Sequence, residues 1–200
     1  MNVEKRAIRQ ELREQRKRLA AAVVEAAGAA VSAQLLELPF YRAAISVGVY
    51  VADENEIPTA ALIGNAMRAG RQLYLPRDAA MPTLVRWDPH TPLRRARSGV
   101  QEPLDGGPAD LELPAILLLP VVAWDSTGTR LGRGGGFYDR LLAGTDPGAV
   151  RVGLAYEFQA FPELPRDPWD VSMHCVITER RVVACGDGRE ASVQKGGLQL

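Results

Sequence analysis

Apolar residues recur at helical spacing near the start of the chain and in short unbroken runs farther on, and this change of period carries the fold. Residues 3 to about 20 predict a helix with sorted charge. With Lys5 at zero, Ile8, Leu12 and Leu19 fall between about 300° and 340° around the axis, a narrow docking stripe. Lys5, Arg9, Arg13 and Arg16 fall between about 0° and 80°, beside that stripe and placed to look into a cleft. Glu4, Glu11 and Glu14 lie between about 180° and 260°, on the far side. A second helix keeps Val23, Ala27, Val31, Leu35 and Leu38 in step and is stopped by Pro39. The run Ala44 to Val51, AISVGVYV, is apolar and β-branched, as suits a strand buried on both faces. The polar loop Asp53 to Pro58 follows, then the short helix TAALIGNAMRA, which Gly70 can close.

RQLYLP predicts a strand and TLVRW a further one. Residues 88–114, rich in Pro, Gly and Arg, predict a loop-dominated excursion. Ala115 to Trp124, AILLLPVVAW, is a second strongly apolar strand, and VRVGLA is another. Between them lie the loop DSTGTRLGRGGG and a helix from about Phe137 to Ala143, closed by Gly144. FPELPRDPWD predicts a loop, and HCVIT with RVVAC a closing hairpin. Strands alternating with helices predict an α/β fold, a mostly parallel sheet with helices on both faces. Ligands bind such sheets beyond the carboxyl ends of the strands, so the loops after Val51 and after Trp124 are the candidate site.

Composition narrows the function classes. The 200 residues, 46% apolar and 24% charged, predict one soluble domain over residues 1–185, with a dispensable polar tail at 186–200. Lys plus Arg and Asp plus Glu are both 24, so nothing in the net charge favours a nucleic-acid coat or a membrane surface. The N-terminus has no apolar core for a signal peptide, and no run approaches a membrane span. Cys175 and Cys185 lie ten apart without Cys-x-x-Cys spacing and read as small core residues in a reducing cytoplasm. His90 and His174 do not form a metal motif. Trp87 and Trp124 read as packing residues.

The chemistry concentrates in Arg130 to Arg140, RLGRGGGFYDR. Gly132, Gly134, Gly135 and Gly136 let backbone N–H groups turn toward an anion, and a helix N-terminus follows. Arg130 and Arg133 supply charge-assisted hydrogen bonds, and Asp139 can hold a magnesium ion bridging phosphates. No Gly-Lys-Ser/Thr follows, so this is not a Walker A loop, and Phe137 stands where the third glycine of a dinucleotide fingerprint belongs.

The segment LLLPVVAWDSTGTRLGRGGGFYDR resembles the signature of the 5-formyltetrahydrofolate cyclo-ligase family. KRAIR at Lys5 to Arg9, YVADENEIPT at Tyr50 to Thr59 and PWDVSMHCVITE at Pro168 to Glu179 resemble three further family segments, in the expected order. The resemblance implies a three-layer α/β sandwich with an open, mainly parallel sheet. It implies ATP-dependent conversion of 5-formyltetrahydrofolate to 5,10-methenyltetrahydrofolate, with Mg²⁺, ADP and phosphate, by phosphorylation of the formyl oxygen and ring closure by N10. ATP contacts are implied at Lys5, Arg6, Arg9 and Arg130, Leu131, Gly132, Arg133, Gly134, Gly135, Gly136, Phe137 and Tyr138. Arg133 and Tyr138 are the implied catalytic residues, Tyr50 and Glu56 the folate-binding ones, and Asp139 and Asp170 the magnesium ligands. A monomer is expected.

Three positions depart from the family pattern: Phe137 in place of a second Tyr, Gly135 in place of a Lys, and His174 in place of a second Asp. Taken without the resemblance, Glu56 reads as a helix-dipole partner and Asp170 as a turn former. Two other function classes stay open on the residues alone: a sugar-phosphate isomerase or CoA-transferase-like enzyme on a similar sheet, and a non-catalytic nucleotide-binding module.

Overall fold

In the computed structural model, which describes residues 3–186, the predicted alternation of strands and helices builds a seven-stranded sheet ordered β11-β10-β9-β6-β1-β2-β3. Its strands are β1 (Ser46–Gly48), β2 (Gln72–Arg77), β3 (Thr83–Arg86), β6 (Ala115–Pro120), β9 (Val150–Leu154), β10 (Cys175–Ile177) and β11 (Val182–Ala184). The five central strands run parallel, and the two edges, β3 and β11, pair antiparallel. β1 sits between β2 and β6, so the chain turns to opposite sides of the sheet from its carboxyl end. The helices are α1 (Val3–Lys17), α2 (Ala21–Glu37), α3 (Pro39–Ala43), α4 (Ala60–Arg68) and α5 (Phe137–Ala143). The excursion holds a small hairpin of β4 (Leu93–Arg95) and β5 (Gln101–Pro103), and β7 (Ala123–Trp124) pairs with β8 (Arg130–Leu131).

Alternation along β6 explains its unbroken apolar run. Ile116 and Leu118 pack with Val31 and Leu35 of α2 and Leu62 of α4 on one face. Leu117 and Leu119 pack with Phe137, Leu141 and Leu142 of α5 on the other. Both faces are dry, so both sets of positions must be apolar. This is the α/β sandwich expected from the sequence. Cys175 and Cys185 are free, Cys175 in the core and Cys185 half-buried. Trp87 and Trp124 are buried, as packing residues should be. The tail read at 186–200 lies, beyond Gly186, outside the described residues.

Four local expectations are corrected. The buried face of α1 is Lys5, Leu12 and Arg16, so two members of the basic row share the docking face with Leu12 instead of bordering it, while Arg9 and Arg13 are half-buried. Ile8 is only half-buried, and Leu19 lies past the helix end. Carboxylates and carbonyls opposite the row make its burial possible, as shown below. Val23 is 49% exposed while Val24 takes the buried position in α2. Pro39 does more than end α2, because it starts the short α3 at its first turn. The run Ala115 to Trp124 is two strands. The chain leaves the sheet after Pro120, where Gln159 Nε2 donates to the carbonyls of Val121 (3.0 Å) and Val122 (2.9 Å) in place of a neighbouring strand.

Candidate active site

The carboxyl end of the sheet opens into a cleft of about 470 Å³. Its walls come from α1, the loop after β1, the segment between β4 and β5, the glycine loop with the start of α5, and the turn at 167–170.

The glycine loop is entered through the β7–β8 hairpin. Asp125 is buried at its turn, where Oδ1 accepts from the N–H groups of Thr127 (3.0 Å) and Thr129 (3.1 Å). Oδ2 accepts from the N–H of Leu164 (2.9 Å), so this acid is spent on the turn. Past β8 the chain needs left-handed backbone at Gly134 (φ 105°) and Gly136 (φ 62°), which glycine adopts without a Cβ clash. Arg9 Nε donates to the Gly132 carbonyl at 2.8 Å, so α1 clamps the loop from outside. Arg130, with 2% of its side chain exposed, donates to Asp139 Oδ1 at 3.0 Å, and its Nε is buried without a hydrogen-bond partner.

One turn nearer the start of α1, Lys5 Nζ bridges Asp167 Oδ2 and Asp170 Oδ2, each at 2.8 Å. Desolvation by itself would lower the Lys5 pKa, but the two carboxylates outweigh it and the net shift is upward. Asp170 is pulled below the ordinary 3.8: burial alone would raise it, and the Asp167 N–H and Lys5 overcome that. The Asp170 contribution is therefore present above pH 3.8 and lost as pH falls through its lower folded value. The Lys5 contribution is present below pH 10.5 and lost as pH rises through its higher folded value.

The loop after β1 supplies the opposite wall. Tyr50 is buried and its hydroxyl donates to the Ile57 carbonyl at 2.9 Å, while Thr59 Oγ1 donates to the Tyr50 carbonyl at 2.6 Å. These bonds set Glu56 at the cleft, 5% exposed. Its carboxylate accepts from Arg133 Nη2 (3.0 Å) and from the Asp53 N–H (3.1 Å), and Arg16 Nη2 lies 3.7 Å away. Burial lifts the Glu56 pKa above its ordinary value, and the two arginines pull it down without overcoming burial. Burial and the neighbouring Glu56 charge raise the Tyr138 phenol well above the usual range, so it stays protonated and can donate.

Of the residues singled out from the sequence, Lys5, Arg9, Tyr50, Glu56, Asp170 and all of Arg130 to Asp139 line this one cleft. Arg6 does not. It lies on a shallow outer groove with Gln10 and Glu14, because α1 turns its other face to the cleft. Asp53, in the loop already expected at the site, and Asp167, Trp169 and the segment Arg97–Gln101 also line the cleft, though the sequence singles out none of them for a role. Asp53 and Asp167 were legible only as polar loop residues. Their partners Arg95, Arg133 and Lys5 are brought to them by tertiary contacts alone.

His174, where the family pattern has an acid, is half-buried and accepts from the Arg151 N–H at Nδ1 (2.9 Å). Burial, and then the Arg151 guanidinium, push its pKa from 6.5 down to about 4. A depressed folded value means stability that is complete above pH 6.5 and lost as pH falls toward 4. About 3 kcal/mol is expected to disappear over that window. Urea midpoints against pH should therefore fall more steeply for the parent than for His174→Gln. Equal slopes would show that this imidazole does not carry the effect.

A sequence model described as the 5-formyltetrahydrofolate cyclo-ligase family matches residues 1–179. The chain is 35% identical over 185 residues to the 5-formyltetrahydrofolate cyclo-ligase of Haemophilus influenzae, covering 88% of this chain and 99% of the relative. It is 31% identical over 182 residues to the protein of that name in Escherichia coli K12, covering 86% and 98%. The structure is similar to that of the Aquifex aeolicus 5,10-methenyltetrahydrofolate synthetase, with a TM-score of 0.79 and 30% identity over 96% of this chain and 97% of that one.

Proposed function

The chain belongs to the 5-formyltetrahydrofolate cyclo-ligase family, and from that premise we propose that this cleft carries the family's reaction. The enzyme is an ATP-using ligase of one-carbon metabolism. It converts 5-formyltetrahydrofolate and ATP to 5,10-methenyltetrahydrofolate, ADP and phosphate.

In our reading the formyl oxygen attacks the γ-phosphorus, the bond from that phosphorus to the β–γ bridging oxygen breaks, and ADP leaves. N10 then bonds to the formyl carbon and gives up its proton, and phosphate departs with the former formyl oxygen. An amide oxygen is a poor leaving group until phosphorylated, so the protein's task is to align two substrates and neutralise the transferring group. The observation that carries this reading is the meeting of the α1 cations, the glycine loop and a buried acid in one cleft. The glycine loop with Arg130 takes the phosphates, Lys5 and Arg9 support them from α1, and Glu56 accepts from the ring N–H donors of the pterin. Tyr50 packs beside the folate. Arg133 reaches from the phosphate loop to Glu56, and Tyr138 donates its hydroxyl toward the reacting oxygen.

Of the carboxylates that line the cleft, Asp139 and Asp170 are the two assigned to a metal, and among the described residues no cluster of three or more candidate ligands forms a ready-made metal cage. Two hard oxygen donors suit a Mg²⁺ that arrives with phosphates supplying the rest of its shell. When bound there it would neutralise phosphate charge.

Mixing the protein with 5-formyltetrahydrofolate and MgATP should develop the absorbance of the 5,10-methenyl product. Binding of both substrates with no such absorbance would refute the reading. Lys5→Ala is expected to raise the KM for ATP and leave that for folate nearly unchanged, since Lys5 and its two aspartates lie at the phosphate end. The opposite pattern in the two KM values would move this end of α1 to the folate.

A further inference from the structure

We propose that Arg16 is a positioning residue for the folate site, holding the Glu56 carboxylate in place from behind the cleft wall. The proposal rests on the reading of Glu56 as the acid that receives the pterin. Arg16 is 1% exposed, among the most deeply buried large side chains of the protein, and it does not line the cleft. Its Nε donates to the Glu54 carbonyl at 2.8 Å and its Nη1 to the Val121 carbonyl at 3.2 Å. These two bonds lock the guanidinium plane. They leave Nη2 buried without a hydrogen-bond partner, 3.7 Å from Glu56 Oε1 and 3.8 Å from Glu54 Oε2. A buried cation with a free N–H group is costly unless a charge faces it, and Glu56 is the buried charge it faces.

The second cation on Glu56 is placed differently. Arg133 has 27% of its side chain exposed and belongs to the glycine loop assigned to phosphate. A phosphate bound there competes with Glu56 for that guanidinium. Arg16 faces no such competition, because it does not line the cleft and its other donors are tied to the backbone carbonyls of Glu54 and Val121. Arg16 therefore remains as the constant counter-charge when both substrates are bound. The other groups around Glu56 are Asp53 and Glu54 on its own loop, Tyr50 just after β1, Tyr138 on α5 and Tyr156 after β9. None of these is a cation, so Arg133 and Arg16 are the cations that face Glu56.

The test is steady-state kinetics of Arg16→Met and Arg16→Lys with both substrates varied. Arg16→Met should raise the KM for 5-formyltetrahydrofolate about tenfold or more, with the KM for ATP nearly unchanged. The acid limb of folate kcat/KM should move to higher pH, because Glu56 then protonates more readily. Arg16→Lys, which keeps the charge, should recover part of the loss. A lowered melting temperature with both KM values and the pH limb unmoved would make Arg16 a structural anchor only and overturn the proposal. So would an equal rise in both KM values. Glu56→Gln, measured alongside, separates this from failure of the underlying reading. If Glu56→Gln leaves folate affinity intact, Glu56 is not the folate acid and the proposal falls with it. If Glu56→Gln weakens folate and Arg16→Met does not, only the role of Arg16 is overturned.

Discussion

Asp139→Ala is expected to turn over on the order of 10²–10³ times more slowly than the parent, with folate affinity nearly unchanged. Asp139 stands on the first turn of α5, directly after the glycine loop, and accepts from Arg130 at 3.0 Å. Arg130 is almost wholly buried, so this carboxylate is what aims its guanidinium across the loop. Removing it leaves a buried cation without its partner and detaches the group proposed to meet developing negative charge on the transferring phosphoryl. It also removes one of the two carboxylates assigned to magnesium. The residues proposed for folate lie on the opposite wall, which is why binding of that substrate should survive. Turnover and equilibrium folate binding should be measured together across a magnesium series. Parent-like turnover at limiting Mg²⁺ would strike Asp139 from the site.

Glu56→Gln is expected to weaken 5-formyltetrahydrofolate by about 1.5–3 kcal/mol, the scale for a hydrogen bond to a charged group. That is a factor of about 10–150 in dissociation constant. The sequence alone opposes this to a helix-dipole role, in which stability changes and folate binding does not. The structure removes so clean an opposition. Glu56 is buried against Arg133 and Arg16, so the neutral amide leaves two guanidinium groups short of counter-charge. The melting temperature should therefore fall as well as the folate affinity. What separates the readings is the folate dissociation constant alone, and an unchanged value would overturn the assignment whatever the melting temperature does.

How far the sequence reached is clearest at the glycine loop and at α1. Four glycines between a strand and a helix specify backbone conformation locally, because only glycine takes the φ of Gly134 and Gly136 without strain. Local chemistry of that kind is written in adjacent residues and is legible without a partner. The same holds for the unbroken apolar run of β6, whose two dry faces are each demanded by position parity. The sorted charge of α1 is equally legible, and two of its four row members, Lys5 and Arg9, line the cleft it points to. Its burial is not legible, because a helix wheel scores Lys5 and Arg16 as polar and places them outside. Lys5 and Arg16 are inside because Asp167, Asp170, Glu54, Val121 and Glu56 offer them charges and carbonyls from far along the chain. The break after Pro120 has the same origin, since Gln159 satisfies carbonyls that a continuing strand would have paired. Sequence by itself therefore determined the alternation of the main strands and helices, the mainly parallel sheet, the glycine loop and the family. Tertiary structure alone decided which charges pair and which are buried. Pairing depends on which distant groups the fold brings within a few ångströms, and that is no property of any local stretch of residues.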